Sequence, residues 1–536
     1  MKRWLGVVSA ALVSLTVAMP ALADLNINYG GQFRVRFENS NNVVDGTQSQ
    51  FSTNYNSDDN RCYIDQRMRM RIVISSSENL KLVTKWELGD TKWGDPQGRV
   101  GPGSGGGVGA DGVSLETKNI YVEFKIPNTP ITTTMGIQTM VLLDSWVIDD
   151  DFAGAVFTGK FEPFTASLGY IAAQRGAERN ASTSLMPYTD SRFNIDSVFA
   201  SFDYAQGPIK ASLIGFFQDG HNTDVSINPA TLATPVSSYR GVFPTGGGSD
   251  IYAFTAGLQP KDNYLFDLAF NITYKVDWLM AYVNFVRNFG GADLRIPNTD
   301  TTYGNVTSVD YKGWMVDAGV TYYTGPYTFN VGGFYTSGPK ISDNPSEQGN
   351  PFTGLSSKNV DWFTYPLATS KYFSEIVGGG VLGDDIYTYR GWSGSQGAGG
   401  MGYGESLSTV YWRGYGFPTN LWTITTGGSW QIDQKTKLSG SYWYFGTAEA
   451  VPVQIDTRRQ RYNMSSSIGH EFNVYLDRQI VDNLTLTLVG AYLLADDAWA
   501  PLPVTGFRAL PQDANGVSKL LRDDAFELGA RIQWNF

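Results

Sequence analysis

The sequence predicts an all-β fold, a transmembrane antiparallel β-barrel of about 18 strands, with 16 as the alternative count. Three observations predict it: strict alternation in the last eleven residues, the same alternation in many earlier segments, and connections that are alternately short and long. The composition, with 14% aromatic residues, 60 Gly and 17% charged residues, fits many strands joined by Gly-rich loops. Composition alone would fit a soluble array of β-sandwiches equally well.

The last strand shows the alternation most clearly. Apolar residues occupy every second position from Phe526 to Phe536, and Glu527, Arg531 and other polar or small residues lie between them. A period of two indicates a strand with one apolar and one wet face. This segment resembles the closing strand of bacterial outer-membrane barrels. The resemblance implies that Trp534 and Phe536 form a signal for the barrel-insertion machinery.

The first residues have the features of a secretory signal peptide. Lys2 and Arg3 precede the apolar stretch 5–19, and Ala21-Leu22-Ala23 has the small-residue pattern of a cleavage site. We therefore expect residues 1–23 to be removed and residues 24–536 to form a single barrel domain. This mature chain carries 38 basic and 51 acidic residues once Lys2 and Arg3 are removed, a net charge of −13. A nucleic-acid partner is not expected.

Alternation and turn residues together predict eighteen strands. They lie near 27–38, 61–75, 80–90, 115–126, 131–140, 155–161, 164–173, 192–204, 209–218, 265–275, 279–288, 312–323, 327–336, 419–432, 437–447, 466–480, 484–495 and 523–536. Short connections such as Gly325-Pro326 alternate with long ones, so we expect turns on the periplasmic side and loops outside. A barrel of this width leaves an aqueous channel, which indicates transport.

The segment at about 337–418 is unusually long for a connection, and it contains Gly-rich stretches and many aromatic residues. One interpretation is a lid, a plug or a ligand platform in the barrel. The other is an extracellular loop packed on its neighbours or on another subunit. Part of the segment could also form one more hairpin.

Basic residues on the wet faces of several strands predict a contiguous basic wall inside the barrel. A charge facing lipid near mid-bilayer costs several kcal/mol, so these side chains must face the lumen. Closure of the barrel brings the last strand beside the first. The predicted basic wall consists of Arg34, Arg36, Arg67, Arg69, Arg71, Lys81, Lys85 and Arg531.

An acidic segment follows the fifth predicted strand, with Asp144, Asp149, Asp150 and Asp151 in the run L-L-D-S-W-V-I-D-D-D-F. Together with Asp65, Glu38 and Glu87 it could balance the basic wall. The alternative is a solvated acidic loop unrelated to the lumen.

The stretches Met135-Gly136-Ile137-Gln138 and 148–154 (I-D-D-D-F-A-G) are similar to trimeric outer-membrane porins of sulfate- and metal-reducing Gram-negative bacteria. The resemblance implies an outer-membrane homotrimer that admits small hydrophilic solutes and ions by passive diffusion. It also implies that the third long loop, here the acidic one, folds into the lumen and faces the basic wall at a constriction. Outer-membrane lipid is the expected surrounding, and no cofactor or metal is expected.

Other classes of function are less consistent with the sequence. A barrel hydrolase needs a nucleophile paired with histidine, and only His221 and His470 exist, neither with a visible partner. The sheath of a porin–cytochrome electron conduit is the alternative function, because such a sheath need not carry haem itself. A gated siderophore transporter would have a plug domain before the first strand, and an adhesin or structural barrel remains a further alternative.

Overall fold

The computed structural model describes residues 25–43, 60–94, 106–107, 115–174, 195–221, 259–295, 308–338, 359–365, 371–380, 418–456, 461–499, 517–519 and 524–536. The signal-peptide prediction for residues 1–23 lies outside the described residues, as does most of segment 337–418. Among the described residues, no helix is both long enough and apolar enough to cross a membrane.

The described chain consists mainly of β-strands, which pair antiparallel except for two short rim strands, and it contains one short 3-10 turn, Asp497–Trp499. The strands are β1 Asn26–Asn41, β2 Asn60–Ser77, β3 Leu80–Lys92, β4 Leu115–Lys125, β5 Ile131–Leu142, β6 Ile148–Phe161, β7 Phe164–Gln174, β8 Ile195–Gln206, β9 Ile209–His221, β10 Gln259–Val276, β11 Leu279–Arg295, β12 Ser308–Tyr311, β13 Trp314–Thr324, β14 Tyr327–Thr336, β15 Asn359–Val360, β16 Trp422–Asp433, β17 Thr436–Asp456, β18 Arg461–Val481, β19 Leu484–Ala495, β20 Val517–Lys519 and β21 Ala525–Asn535.

Eighteen of these strands form one closed ring. Each pairs antiparallel with the next along the chain, and the short strands β12, β15 and β20 only extend the rim at the long-loop end. β21 pairs with β1 from Gln32↔Asn535 to Asn41↔Phe526, which closes the ring. The backbone of residue 536 extends this seam, because Gly31 and Phe536 exchange two backbone hydrogen bonds of 2.8 and 3.0 Å. The predicted fold class and strand number are confirmed.

The two faces of the ring differ as the alternation predicts. The outer face carries exposed apolar side chains around the ring, for example Leu213, Ile272, Phe329, Ile424 and Ile532. The inner face carries buried polar residues between them on the same strands. An apolar outer belt can contact lipid, and closure of the ring leaves the eighteen strands without a free sheet edge in the membrane.

Aromatic side chains gather near the short turns at one rim. Phe164 lies 5.4 Å from Tyr204, Trp278 6.3 Å from Tyr322, and Trp534 4.8 Å from Phe536, between ring centroids. The pair Tyr327 and Trp430 adds a fourth contact of 6.3 Å. Amphipathic rings favour the boundary between hydrocarbon and water, so this girdle marks one membrane interface.

The seam generates a prediction about Gly31. A Cβ built there lies 2.3 Å from the backbone oxygen of Arg69 and 2.7 Å from the Phe536 ring. Gly31→Ala should therefore push strands apart at the closure and destabilise the barrel by about 1–3 kcal/mol. The heat-induced shift in gel mobility of the folded barrel measures this. Gly490→Ala is the matched control, because its nearest neighbour is the Leu528 side chain at 3.6 Å. Equal midpoints for the two variants would contradict the prediction.

Candidate functional site

The end of the β5–β6 hairpin leaves the wall of the barrel. β4 pairs with β5 only up to Ile137, and β7 pairs with β6 only from Gly154. Residues 138–153 between these points pair only with each other, from Gln138↔Phe152 to Leu142↔Ile148. We call residues 138–153 the inner hairpin. Its tip turns through Leu143, Asp144 and Ser145, all with φ between 52° and 67°.

The tip of the inner hairpin reaches a distant part of the wall. Trp146 is fully buried, and its Nε1 donates a 2.8 Å hydrogen bond to Oδ2 of Asp317 on β13. The Trp146 ring also packs edge-on against Phe334 of β14, with centroids 5.2 Å apart. β6 and β13 lie far apart around the ring, so this contact crosses the lumen.

A second part of the chain fills the lumen from the long-loop end. Residues 371–380, which we call the inner segment, lie against the inner faces of β17 and β18. The carboxylate of Glu471 on β18 accepts hydrogen bonds from Ser374 Oγ at 3.1 Å and from the amides of Ile376 at 3.0 Å and Val377 at 2.9 Å. Glu471 is fully buried, and its three hydrogen bonds hold the segment at the wall.

Residues 361–365 join the same interior from the wall of β10 and β11. Asn288 of β11 donates to the Thr364 carbonyl at 3.0 Å and accepts from the Thr364 amide at 2.9 Å. Tyr365 donates to the Pro418 carbonyl at 2.7 Å. Burial, together with the charge of Asp267, raises the pKa of the Tyr365 hydroxyl well above its usual value, so this donor stays protonated.

The inner hairpin and the inner segment contact each other. Lys371 Nζ lies 2.7 Å from Oδ2 of Asp144 and 2.9 Å from the Asp144 carbonyl, and it sits 5.0 Å from the Trp146 ring centroid. Phe373 packs against Phe334 at 5.0 Å between centroids, and also against Phe445 at 6.1 Å. The described residues 371–380 of the long connection thus pack inside the barrel, and the described residues of this connection do not form an additional hairpin.

The residues of the predicted basic wall lie on neighbouring strands. The register places Arg34 opposite Arg67, Arg36 opposite Arg531, and Arg71 opposite Lys85. Their exposure differs along the wall: Arg36 is 1% exposed and Arg67 6%, whereas Arg69 and Lys81 are 33% and 34% exposed. Arg71 is also exposed. One end of the wall is therefore enclosed, and the other is open to solvent.

Carboxylates alternate with these cations. Arg36 makes a bidentate pair with Asp65, at 3.0 and 2.7 Å, and Arg69 pairs with Glu87. Lys81 pairs with Glu123 at 2.9 Å. Lys118, which the sequence analysis did not include, lies 3.7 Å from Glu87 and 3.0 Å from Glu116. Lys118 is the extra residue of a β-bulge in β4, between Thr117 and Asn119, and this bulge breaks the alternation that would have identified it as lumenal.

The predicted acidic residues lie in the inner hairpin, but not all of them in a loop. Asp149, Asp150 and Asp151 belong to β6, and only residues 143–147 form the turn, so the prediction of a loop through Asp151 is wrong. Three consecutive acids conceal the alternation of a strand, which explains the error.

Asp151 accepts from Thr139 Oγ1 and from Asn119 Nδ2, the latter at 3.4 Å, and acts electrostatically on Lys85. Asp150 acts on Lys118 in the same way.

Several other residues of the interior were not singled out from sequence. Glu471, Trp146, Asp317 and Lys371 organise the lumen through partners more than ninety residues away. The alternation along β18 would have placed the Glu471 side chain inside the barrel, but no local sequence pattern identifies its hydrogen-bond partners. His470 lies on the other face of β18, with Nδ1 2.8 Å from the Tyr442 hydroxyl, and the side chain of His221 lies outside the described residues.

Comparison with known proteins gives likenesses of structure only. No family model and no curated protein matches the sequence. The structure resembles OccK8 (OprE) of Pseudomonas aeruginosa, with a TM-score of 0.47 and 10% identity over 95% of this chain and 98% of that chain. A BenF-like porin from Pseudomonas fluorescens Pf-5 gives 0.47 and 10% over 96% and 100%. OpdQ of Pseudomonas aeruginosa gives 0.44 and 9% over 95% and 98%. These values are too low to transfer a function.

The architecture itself defines the class of protein. A closed antiparallel ring with an apolar outer belt, an aromatic girdle and a polar interior is a transmembrane β-barrel of the outer-membrane type. The chain is an outer-membrane protein with a porin-like barrel. Its width and charged interior make the lumen the candidate functional site.

The anchoring of the inner segment can be tested at Glu471. Glu471→Gln replaces one acceptor oxygen with a donor amide, so at least one of the Ile376 and Val377 amides loses its partner. We expect hydrogen exchange at these amides to accelerate by about tenfold or more, since a buried donor left without its acceptor costs roughly 1–3 kcal/mol. Mass spectrometry of the exchanged protein measures this. Asp477→Asn on the same strand is the control; its carboxylate accepts from Thr487, not from the inner segment. Unchanged exchange in Glu471→Gln would refute the anchor.

Proposed function

We propose that the protein is a passive diffusion channel for small hydrophilic solutes and ions. The observation that carries this proposal is the distribution of contacts inside the barrel. The inner hairpin, residues 361–365 and the inner segment contact β11, β13, β14, β17 and β18. Arg69, Arg71 and Lys81, on the side of β2 and β3, keep solvent-accessible charges. A solute path along that side is both hydrated and charged.

The charges along this path support a transverse field. The basic side chains belong to the wall, while Asp150 and Asp151 approach it from the inner hairpin. A net charge of −13 for the mature chain favours cations at the mouths, but those charges are screened beyond roughly 8 Å at physiological salt. We therefore expect weak overall selectivity, with anions guided along the wall and cations along the hairpin.

The geometry favours a diffusion channel over the alternative of a cytochrome sheath. A sheath must hold a second protein inside its lumen. Here the tip of the inner hairpin extends through the lumen to Asp317 on β13, and the inner segment is bound to Glu471. A cytochrome would need the space that these segments occupy.

Selectivity tests the proposal. Arg69→Gln with Arg71→Gln should lower the permeability of anions relative to cations by about twofold to fivefold at low salt, because charges a few ångström from an ion contribute about 1 kcal/mol even in water. Asp150→Asn with Asp151→Asn should change the ratio in the opposite direction. Reversal potentials in planar bilayers measure both. Lys435→Gln, in an exposed turn, is the control for loss of a charge away from the lumen. An absence of single-channel current would refute the channel, and unchanged potentials in both variants would refute the field.

The subunit state is a further part of the proposal. The resemblance to porins of sulfate- and metal-reducing bacteria implies a homotrimer, and wide barrels with aromatic outer faces have surface for pairing. Light scattering of the protein in mild detergent should give three times the mass of the chain after the detergent is subtracted. A monomer under the mildest extraction would contradict this expectation.

A further inference from the structure

A cavity of about 500 Å³ lies behind the inner hairpin, away from the basic wall. One side is formed by residues 140–144 of the hairpin and Val156, and the other by the inner faces of β7 to β11. The wall side chains are Ser167, Phe199, Ser201, Asp203, Ser212, Ile214, Asn271 and Asn284. The volume is within the roughly 300–1,000 Å³ of small-molecule sites.

The charges of this cavity differ from those of the solute path described above. Its lining contains no Lys or Arg side chain. It contains two carboxylates, and Asp144 is already bound to Lys371 at 2.7 Å. The second carboxylate, Asp203, belongs to the wall, and the Ser201 hydroxyl donates a 3.2 Å hydrogen bond to it. Lys371 already offsets the charge of Asp144, and the Asp203 carboxylate repels anions, so the cavity does not suit the solutes that the basic wall would guide.

The neutral polar groups of the cavity have a common character. Ser167, Ser201 and Ser212 each present a hydroxyl that can both donate and accept, and Asn271 and Asn284 add amides. Hydroxyl groups of a solute have the same dual capacity. The amides are fixed in place, because Asn271 donates to Asn284 at 2.7 Å and Asn284 donates to Asp317 at 3.1 Å.

Apolar surface faces these groups. Met140, Leu142 and Val156 come from the hairpin side, and Phe199 and Ile214 from the wall. The Phe199 ring is fixed, because it lies over Gly169, where a Cβ would come within 1.9 Å of it. The cavity therefore combines an apolar surface with a row of hydroxyl and amide groups and one carboxylate acceptor.

We propose that this cavity is a binding site for an uncharged, polyhydroxylated ring of the size of one pyranose. Such a ring has an apolar C–H face for the hairpin side and hydroxyls for the serines and Asp203. The inference deepens the proposed function by naming a solute class, and it rests on that function for the solute's entry into the lumen.

Three sugars that share one ring but differ in charge test the charge preference of the cavity. Glucose is neutral, glucuronate adds a carboxylate, and glucosamine adds an ammonium group. We expect saturable binding of glucose in the millimolar range by saturation-transfer NMR of the purified protein in detergent. Glucuronate should bind at least tenfold more weakly, and glucosamine within about threefold of glucose. No saturable glucose signal, equal binding of glucuronate, or glucosamine binding tenfold tighter than glucose would each overturn the proposal.

Variants locate the site. Asp203→Asn should weaken glucose binding about tenfold through loss of a charge-assisted acceptor, and Ser201→Ala with Ser212→Ala should weaken it severalfold. Asp477→Asn and Thr328→Val change polar groups on β18 and β14 outside the cavity and should leave it unchanged. Undiminished binding in Asp203→Asn would overturn the location.

Current without glucose binding would refute this inference but not the channel, and glucose binding without current would refute the channel but not the site.

Discussion

Closure of the backbone ladder is the constraint on which the rest of the structure depends. Hydrocarbon offers no hydrogen-bond partners, so a sheet in a membrane must have no free edge. The seam between β1 and β21 satisfies that requirement. Gly31 exchanges backbone hydrogen bonds with Phe536 there, and its missing side chain leaves room for the Phe536 ring. Every other feature of the wall, from alternation to the aromatic girdle, follows from having one closed surface in contact with lipid.

A closed ring of eighteen strands is too wide to be filled by its own side chains. The chain fills part of it with two inward-folded pieces that brace each other and the wall. Asp144 and Lys371 connect the two pieces, Asp317 receives the hairpin tip, and Glu471 fixes the inner segment. The interior is consequently divided into a basic side and a more neutral cavity, each with its own chemistry.

The strand positions were predictable because the period of two is a local property. β14, for example, spans Tyr327–Thr336, the range that alternation predicts. The prediction for the sixth strand began at residue 155, close to Gly154, where β6 joins the wall. The earlier residues of β6 were missed because Asp149, Asp150 and Asp151 interrupt the alternation, and a strand of the inner hairpin has no apolar face toward lipid.

The sequence by itself determined the barrel, its strand number and the apolar outer faces of its strands, because lipid on one side and water on the other impose an alternating pattern on the strands of the wall. Only the tertiary structure decided how the lumen is filled. The partners Trp146 and Asp317 are 171 residues apart, and Lys371 and Asp144 are 227 apart. No local period encodes such contacts, because they depend on which strands the closed ring brings face to face across its interior.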